Sequence, residues 1–162
     1  MKLGLLCAAA VLTVATPALA AKTFILDNVT LQFAGQDKGT LTGSFTTDDA
    51  FTKIEAIDIT GSAFTIPGFN VASYTYNNIA NIDTITPITS GFRLTVVDST
   101  GNHQLRLDLK DFTDAGATIL TSSYEQSGGI NRTVAGGSLV GESVPAVPEP
   151  ATWGLMLVGF GL

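Results

Sequence analysis

Apolar and polar residues alternate with a period of two along several stretches of this chain. In Gln104-Leu105-Arg106-Leu107-Asp108-Leu109 the leucines fall on one face and the polar residues on the other, the pattern of a strand with one buried side. Phe92, Leu94 and Val96 alternate in the same way just upstream, and Asp98-Ser99-Thr100-Gly101-Asn102 between them is a cluster of turn formers. Residues 92–109 therefore read as a β-hairpin. Val29-Thr30-Leu31-Gln32-Phe33 and Thr40–Thr47, with Leu41, Gly43 and Phe45 on one face, read as a second, joined by a turn over Gly35–Gly39.

Further strands are expected at 51–60, 63–66, 71–76, 117–124 and 130–140. Residues 77–91 are the least regular part and are expected to be a long connection. Strand character is expected to fade from Gly136 to Ser143. Helical spacing is not sustained anywhere between 22 and 141, and no repeat of fixed period is visible. These features predict an all-β fold, a single β-sandwich or jelly-roll-like domain over 22–141. About 120 residues suffice for two packed layers.

The two ends follow different rules. Lys2 supplies a positive start, Leu3–Val14 an apolar run, Pro17 a break, and Ala18-Leu19-Ala20 the small residues of a cleavage site. Residues 1–20 are thus expected to be a signal peptide helix, cut by signal peptidase between Ala20 and Ala21. At the other end, Pro145, Pro148 and Pro150 make 142–150 a semi-rigid, extended linker. Ala151–Leu162 is apolar and can be helical, with Pro150 allowed in its first turn. Twelve helical residues reach about 18 Å, against about 30 Å of bilayer hydrocarbon.

Composition narrows the function classes. The 162 residues carry a net charge of -6 and no basic cluster, which excludes phosphate-neutralising contact with nucleic acid. The lone cysteine, Cys7, lies within the apolar leader, so the processed chain has no disulfide, no cysteine metal site and no cysteine nucleophile. Its body must hold by packing alone.

Candidate chemistry in the body is sparse. His103 is the one histidine, and no G-x-S-x-G elbow accompanies it; it reads as an exposed polar residue at a strand start. Asp48-Asp49, and Asp108, Asp111 and Asp114, are the carboxylates grouped closely enough to suggest calcium, but they lack the D-x-D-x-D-G spacing and read more simply as solvated strand ends and turn caps. Asp108 or Asp111 would serve a secreted hydrolase working through paired acids. Tyr74, Tyr76 and Tyr124 are candidate stacking platforms for sugar rings, with core filling an equal explanation for the first two. Asn28 and Asn131 head glycosylation sequons. No catalytic set, metal site or cofactor is expected.

VPEPATW followed by GLMLVGFGL, residues 147–162, resembles the PEP-CTERM sorting signal of Gram-negative bacteria in its Pro-Glu-Pro-x-x-Trp form. The resemblance implies that Pro148, Glu149 and Pro150 are the triplet read by exosortase, a membrane-embedded transpeptidase-like enzyme of biofilm-forming bacteria. It makes Trp153 the aromatic at the membrane interface, a placement that suits Trp on physical grounds. In the family the apolar helix is longer and ends in an Arg-rich cluster, so the residues to Leu162 correspond to its first half and the signal is expected to be cut short. GTLTGSFTTDD and SYEQSGGINRTVAGGSLVG also resemble small β-domains in proteins of this class. Together these imply an exported protein, transiently held at the membrane by its C-terminal segment and delivered to the cell envelope or extracellular matrix. There the β-domain would be structural or adhesive among extracellular polysaccharides, with a carbohydrate-binding, calcium-assisted module and a secreted hydrolase as the alternatives.

The leader yields a direct test. N-terminal sequencing of the exported protein is expected to start at Ala21, whereas a chain that retains Met1 or Lys2 would show that the segment is not cleaved.

Overall fold

The period-two stretches become strands, and the turn formers between them become reversals. In the computed structural model, which describes residues 21–78 and 82–142, the chain runs through β1 (Lys22–Phe33), β2 (Gln36–Thr47), β3 (Ile54–Gly61), β4 (Phe64–Ile66), β5 (Phe69–Val71) and β6 (Tyr74–Tyr76). It continues through β7 (Ile82–Ile88), β8 (Gly91–Val97), β9 (His103–Thr113), β10 (Gly116–Ile119), β11 (Tyr124–Ser127) and β12 (Ile130–Glu142). No helix occurs among the described residues, and this body is all-β as expected. The leader and the C-terminal segment lie outside the described residues.

Ten strands form one antiparallel sheet in the order β6-β3-β2-β1-β12-β10-β9-β8-β7, with β11 pairing both β12 and β9. The order is almost that of the chain, and β12 returns to lie against β1. β4 and β5 form a separate hairpin. Strands β6 and β7 each pair on one side only among the described residues. Pro87 sits in β7 opposite Phe92, next to the closing pair Ile88–Gly91.

The long β1 needs a defect to work. Phe24 and Leu26 are buried at even positions, and Val29 and Leu31 at odd ones. A bulge at Asp27–Asn28 makes the change: the pairing with β12 shifts register there, and Asn28 takes a left-handed φ of 52°. One extra residue lets both halves of the strand face the core.

The sheet's inner faces meet around three successive zones. At one end Phe24 stacks on Phe45 at 5.5 Å and meets Phe112 at 4.7 Å, joining β1, β2 and β9. Phe51 and Phe92 extend this aromatic cluster. The middle is aliphatic, with Leu31, Ile59, Leu105 and Leu107 fully buried. The third zone is polar and belongs with the candidate site.

Several expected boundaries move. The irregular connection over 77–91 contains a strand, β7, whose Pro87 and turn-forming neighbours hid it; only Thr89 and Ser90 separate it from β8. Strand character does not fade after Gly136, because β12 continues to Glu142 against β1 and β10. The turn expected over Gly35–Gly39 tightens to Ala34-Gly35, with left-handed φ values of 50° and 75°. The strand expected over 51–60 begins only at Ile54, since Phe51 has a φ of 55° in the preceding loop. The stretch 117–124 breaks after Ile119 into β10 and β11.

Gly43 shows how closely the strands approach. With φ at 118°, a Cβ there would lie 2.0 Å from the Asp58 carbonyl oxygen of β3. Gly43→Ala is expected to lose about 2–3 kcal/mol in urea denaturation. Gly68→Ala, at the open tip of the β4–β5 hairpin, is expected to lose about 1 kcal/mol, its φ of 85° being strained but its space empty.

Candidate functional site

Two polar assemblies stand out against this apolar body, one on the outer face and one inside. The β8–β9 pairing sets Arg93 directly opposite Asp108, and Arg106 lies two residues before Asp108 on the same face. Asp108 is almost fully buried beneath them. Arg93 donates through Nε to Oδ1 at 2.6 Å and through Nη2 to Oδ2 at 3.1 Å. Arg106 repeats the same fork, Nε to Oδ1 at 3.1 Å and Nη2 to Oδ2 at 2.7 Å. The Ser122 hydroxyl adds a bond to Oδ2 at 2.7 Å. The Asp108 backbone is fixed too, its N–H donating to Ser123 Oγ at 2.8 Å.

Burial would raise the Asp108 carboxyl, but the guanidiniums of Arg93 and Arg106 and the Ser122 hydroxyl overcome it and hold the group well below the usual carboxylate range. Hydrogen bonding to Asp108 in turn raises both arginines. Two forks on one carboxylate leave a single net positive charge on the outer face. Their side chains remain 33% and 26% exposed, and Arg106 extends over the Tyr124 ring at 5.6 Å from its centroid.

The inner assembly starts from a turn. Gly128 and Gly129 both take left-handed φ values, 58° and 80°, and reverse β11 into β12 so that Glu125 faces Arg132. Both are completely buried. Arg132 Nε donates to Glu125 Oε2 at 3.0 Å, and Nη1 donates to the Lys38 carbonyl at 2.6 Å. Its guanidinium lies over the Phe64 ring, 4.0 Å from the centroid. Tyr76 reaches in from β6, donating to Glu125 Oε1 at 3.4 Å. Gly61 forms a wall, where a Cβ would come within 2.6 Å of Glu125 Oε1. Burial raises the Glu125 carboxyl against the pull of Arg132 and the Tyr76 hydroxyl. Burial and the neighbouring Glu125 likewise raise the Tyr76 hydroxyl.

The other sequence candidates fall into place around these two. His103 is not the exposed residue expected: it is half-buried, its ring stacked on Tyr74 at 3.7 Å and 5°, with Nδ1 2.9 Å from Ser127 Oγ. Ser127 is fully buried, so this pair faces the core. Tyr76 fills the core, Tyr74 is half-buried beside it at 4.9 Å between centroids, and Tyr124 stands on the outer face. Asp108 is the correction among the carboxylates, being an enclosed ion-pair centre and not a solvated strand end. Asp48 accepts from the N–H groups of Thr52 and Lys53 at 2.6 and 3.1 Å and caps its own loop. Asp49 and Asp114 both pair with Lys22 at 2.8 Å. Asp111 is exposed beside Lys110, and Asn28 and Asn131 are exposed.

Among the described residues, no group of three His, Cys, Asp or Glu is placed to hold a metal, and no helix is long and apolar enough to cross a membrane. Ala21 is exposed just before β1. Ala18, Ala20, Pro148, Glu149, Pro150 and Trp153 lie outside the described residues. Sequence reasoning missed Glu125 and Arg132, although the Gly-Gly pair centred between them carries the signal for their opposition. Comparison with family models, curated proteins and solved structures finds no match.

Both assemblies give stability tests. Arg132→Met strands the buried Glu125 and is expected to cost about 3–5 kcal/mol in urea denaturation, with Glu125→Leu added in the same chain restoring most of it. Asp108→Asn is expected to cost about 3 kcal/mol at pH 7. Because the folded state lowers the Asp108 pKa, this contribution is fully present above the unfolded value of about 3.9. The gap between wild type and Asp108→Asn is therefore expected to shrink as the pH falls from 5 to 2, measured by denaturant midpoints at each pH.

Proposed function

We propose that this chain is an exported bacterial protein, sorted by exosortase to the cell envelope or exopolysaccharide matrix, whose β-domain is structural or adhesive and not enzymatic. The observation that carries the reading is the Pro148-Glu149-Pro150 triplet with Trp153 behind a proline spacer, in a chain that opens on a leader ending Ala18-Leu19-Ala20. The domain itself is consistent with the role. Its sheet, folded on itself as a β-sandwich, needs no disulfide, and its outer face over β1, β2, β3 and β6 is lined with hydroxyls. Thr23 and Thr46 hydrogen-bond at 3.1 Å, and Thr60 and Thr75 at 2.8 Å; such a surface offers donors and acceptors to a hydrated glycan.

The acids suit a hydrolase poorly. A general acid needs a raised pKa in reach of substrate, yet Asp108 is held ionised beneath two guanidiniums, and Glu125, which is raised, is sealed inside. A carbohydrate-binding role is the second reading, favoured by the outer-face arginines and Tyr124.

Fractionation tests the sorting. Deleting Pro148–Pro150 is expected to leave the protein unprocessed at its C-terminus and to abolish its appearance in the matrix, read by intact mass and immunoblot of cell and matrix fractions. Unchanged processing and distribution would overturn the exosortase route.

A further inference from the structure

Given the reading that the domain meets extracellular polysaccharide, we infer that Arg93 and Arg106 form a binding site for the carboxylate of an acidic, uronate-type sugar chain. The chemistry begins with what Asp108 does to them. Each guanidinium gives its Nε–Nη2 edge to the same carboxylate, so both planes are fixed before any ligand arrives. A preorganised fork loses little entropy on binding. Arg93 keeps its Nη1 end without a protein acceptor among the described residues, and its side chain is one-third exposed. Planar forks of this kind match a carboxylate in two hydrogen bonds.

The surroundings suit a sugar. Cross-strand neighbours share a face, and the rows through the arginines place Thr86 opposite Arg93, Thr95 opposite Arg106, Tyr124 opposite Arg106 on its other side, and Thr133 opposite Tyr124. Hydroxyls thus flank the charged centre on both sides. Lys110, two residues beyond Asp108 on β9, follows on the same face, paired with Asp111 at 3.8 Å. The net positive site sits on a chain of net charge -6. Long-range attraction for a polyanion is therefore weak, and capture depends on the local forks, which makes it selective for this spot and sensitive to salt.

Titration of the full-length chain with oligogalacturonate at low ionic strength, by calorimetry and by NMR of the arginine Nε–Hε signals, tests the site. Saturable binding that moves the Arg93 and Arg106 signals is expected. Arg93→Gln, which leaves Asp108 its Arg106 and Ser122 partners, is expected to weaken binding at least about tenfold, and Arg93→Lys, which keeps the charge but not the fork, at least about threefold. Lys53→Gln, removing a cation elsewhere, is expected to stay within about twofold. Wild-type arginine signals that do not move under saturating ligand overturn the site whatever the variants' stability, as does equal weakening by Arg93→Gln and Lys53→Gln. Equal binding of neutral dextran, unaffected by Arg93→Gln, overturns the arginine site while keeping the polysaccharide reading. Binding of neither glycan overturns the site and removes the glycan arm of the proposed function.

Discussion

The pairing of β1 with β12 is the constraint on which the rest of this body depends. Lys22–Phe33 and Ile130–Glu142 are the first and last strands, each 12 or 13 residues long, and they lie side by side at the centre of the sheet. Everything between them hangs on this ladder as two arms, β2-β3-β6 on one side and β10/β11-β9-β8-β7 on the other. A contact between the first and last of the described strands closes the longest loop among their pairings and so comes at the largest entropy of them. No disulfide offsets it. The compensation is length, together with burial of Phe24, Leu26, Val29 and Leu31 from β1 and Val134 and Leu139 from β12.

The bulge and the glycines opposite it make that length usable. A Cβ on Gly137 would press within 2.6 Å of Val29 Cα, so the β12 backbone can follow the kink in β1 only without a side chain at that point. The two ends of the core then differ in kind. The phenylalanine end is held by non-directional apolar contact, whereas the end near the β11–β12 turn is held by one ion pair set among the Lys38 carbonyl, the Phe64 ring, the Tyr76 hydroxyl, Gly39 and Gly61. Such a buried pair adds little net stability over apolar packing.

Much of this was legible from the residues. The 92–109 hairpin could be read because its period-two pattern and its turn agree, and its register alone places Arg93 against Asp108. β7 was hidden because Asp83 and Pro87 dilute its pattern and Thr89-Ser90 follow it directly, Pro being confined within sheets to edge strands such as this one. The end of β12 was hidden because Gly136, Gly137 and Gly141 suggest a linker until the close approaches of Gly137 to Val29 and of Gly141 to Asp114 are known. His103 followed no local rule; its burial comes from Tyr74, far away in sequence on the opposite arm. Contacts that cross between arms leave no mark in the spacing along either.

The two ends of the sheet bear on how copies of this domain would meet one another. An uncapped edge recruits further strands. Among the described residues β6 offers a template of three residues, Tyr74–Tyr76. On β7 the alternation from the Ile88–Gly91 pair turns the backbone nitrogen of Pro87 toward the open side, where it has no hydrogen to donate. A single ring thus takes one donor out of the row that an added strand would have to pair with.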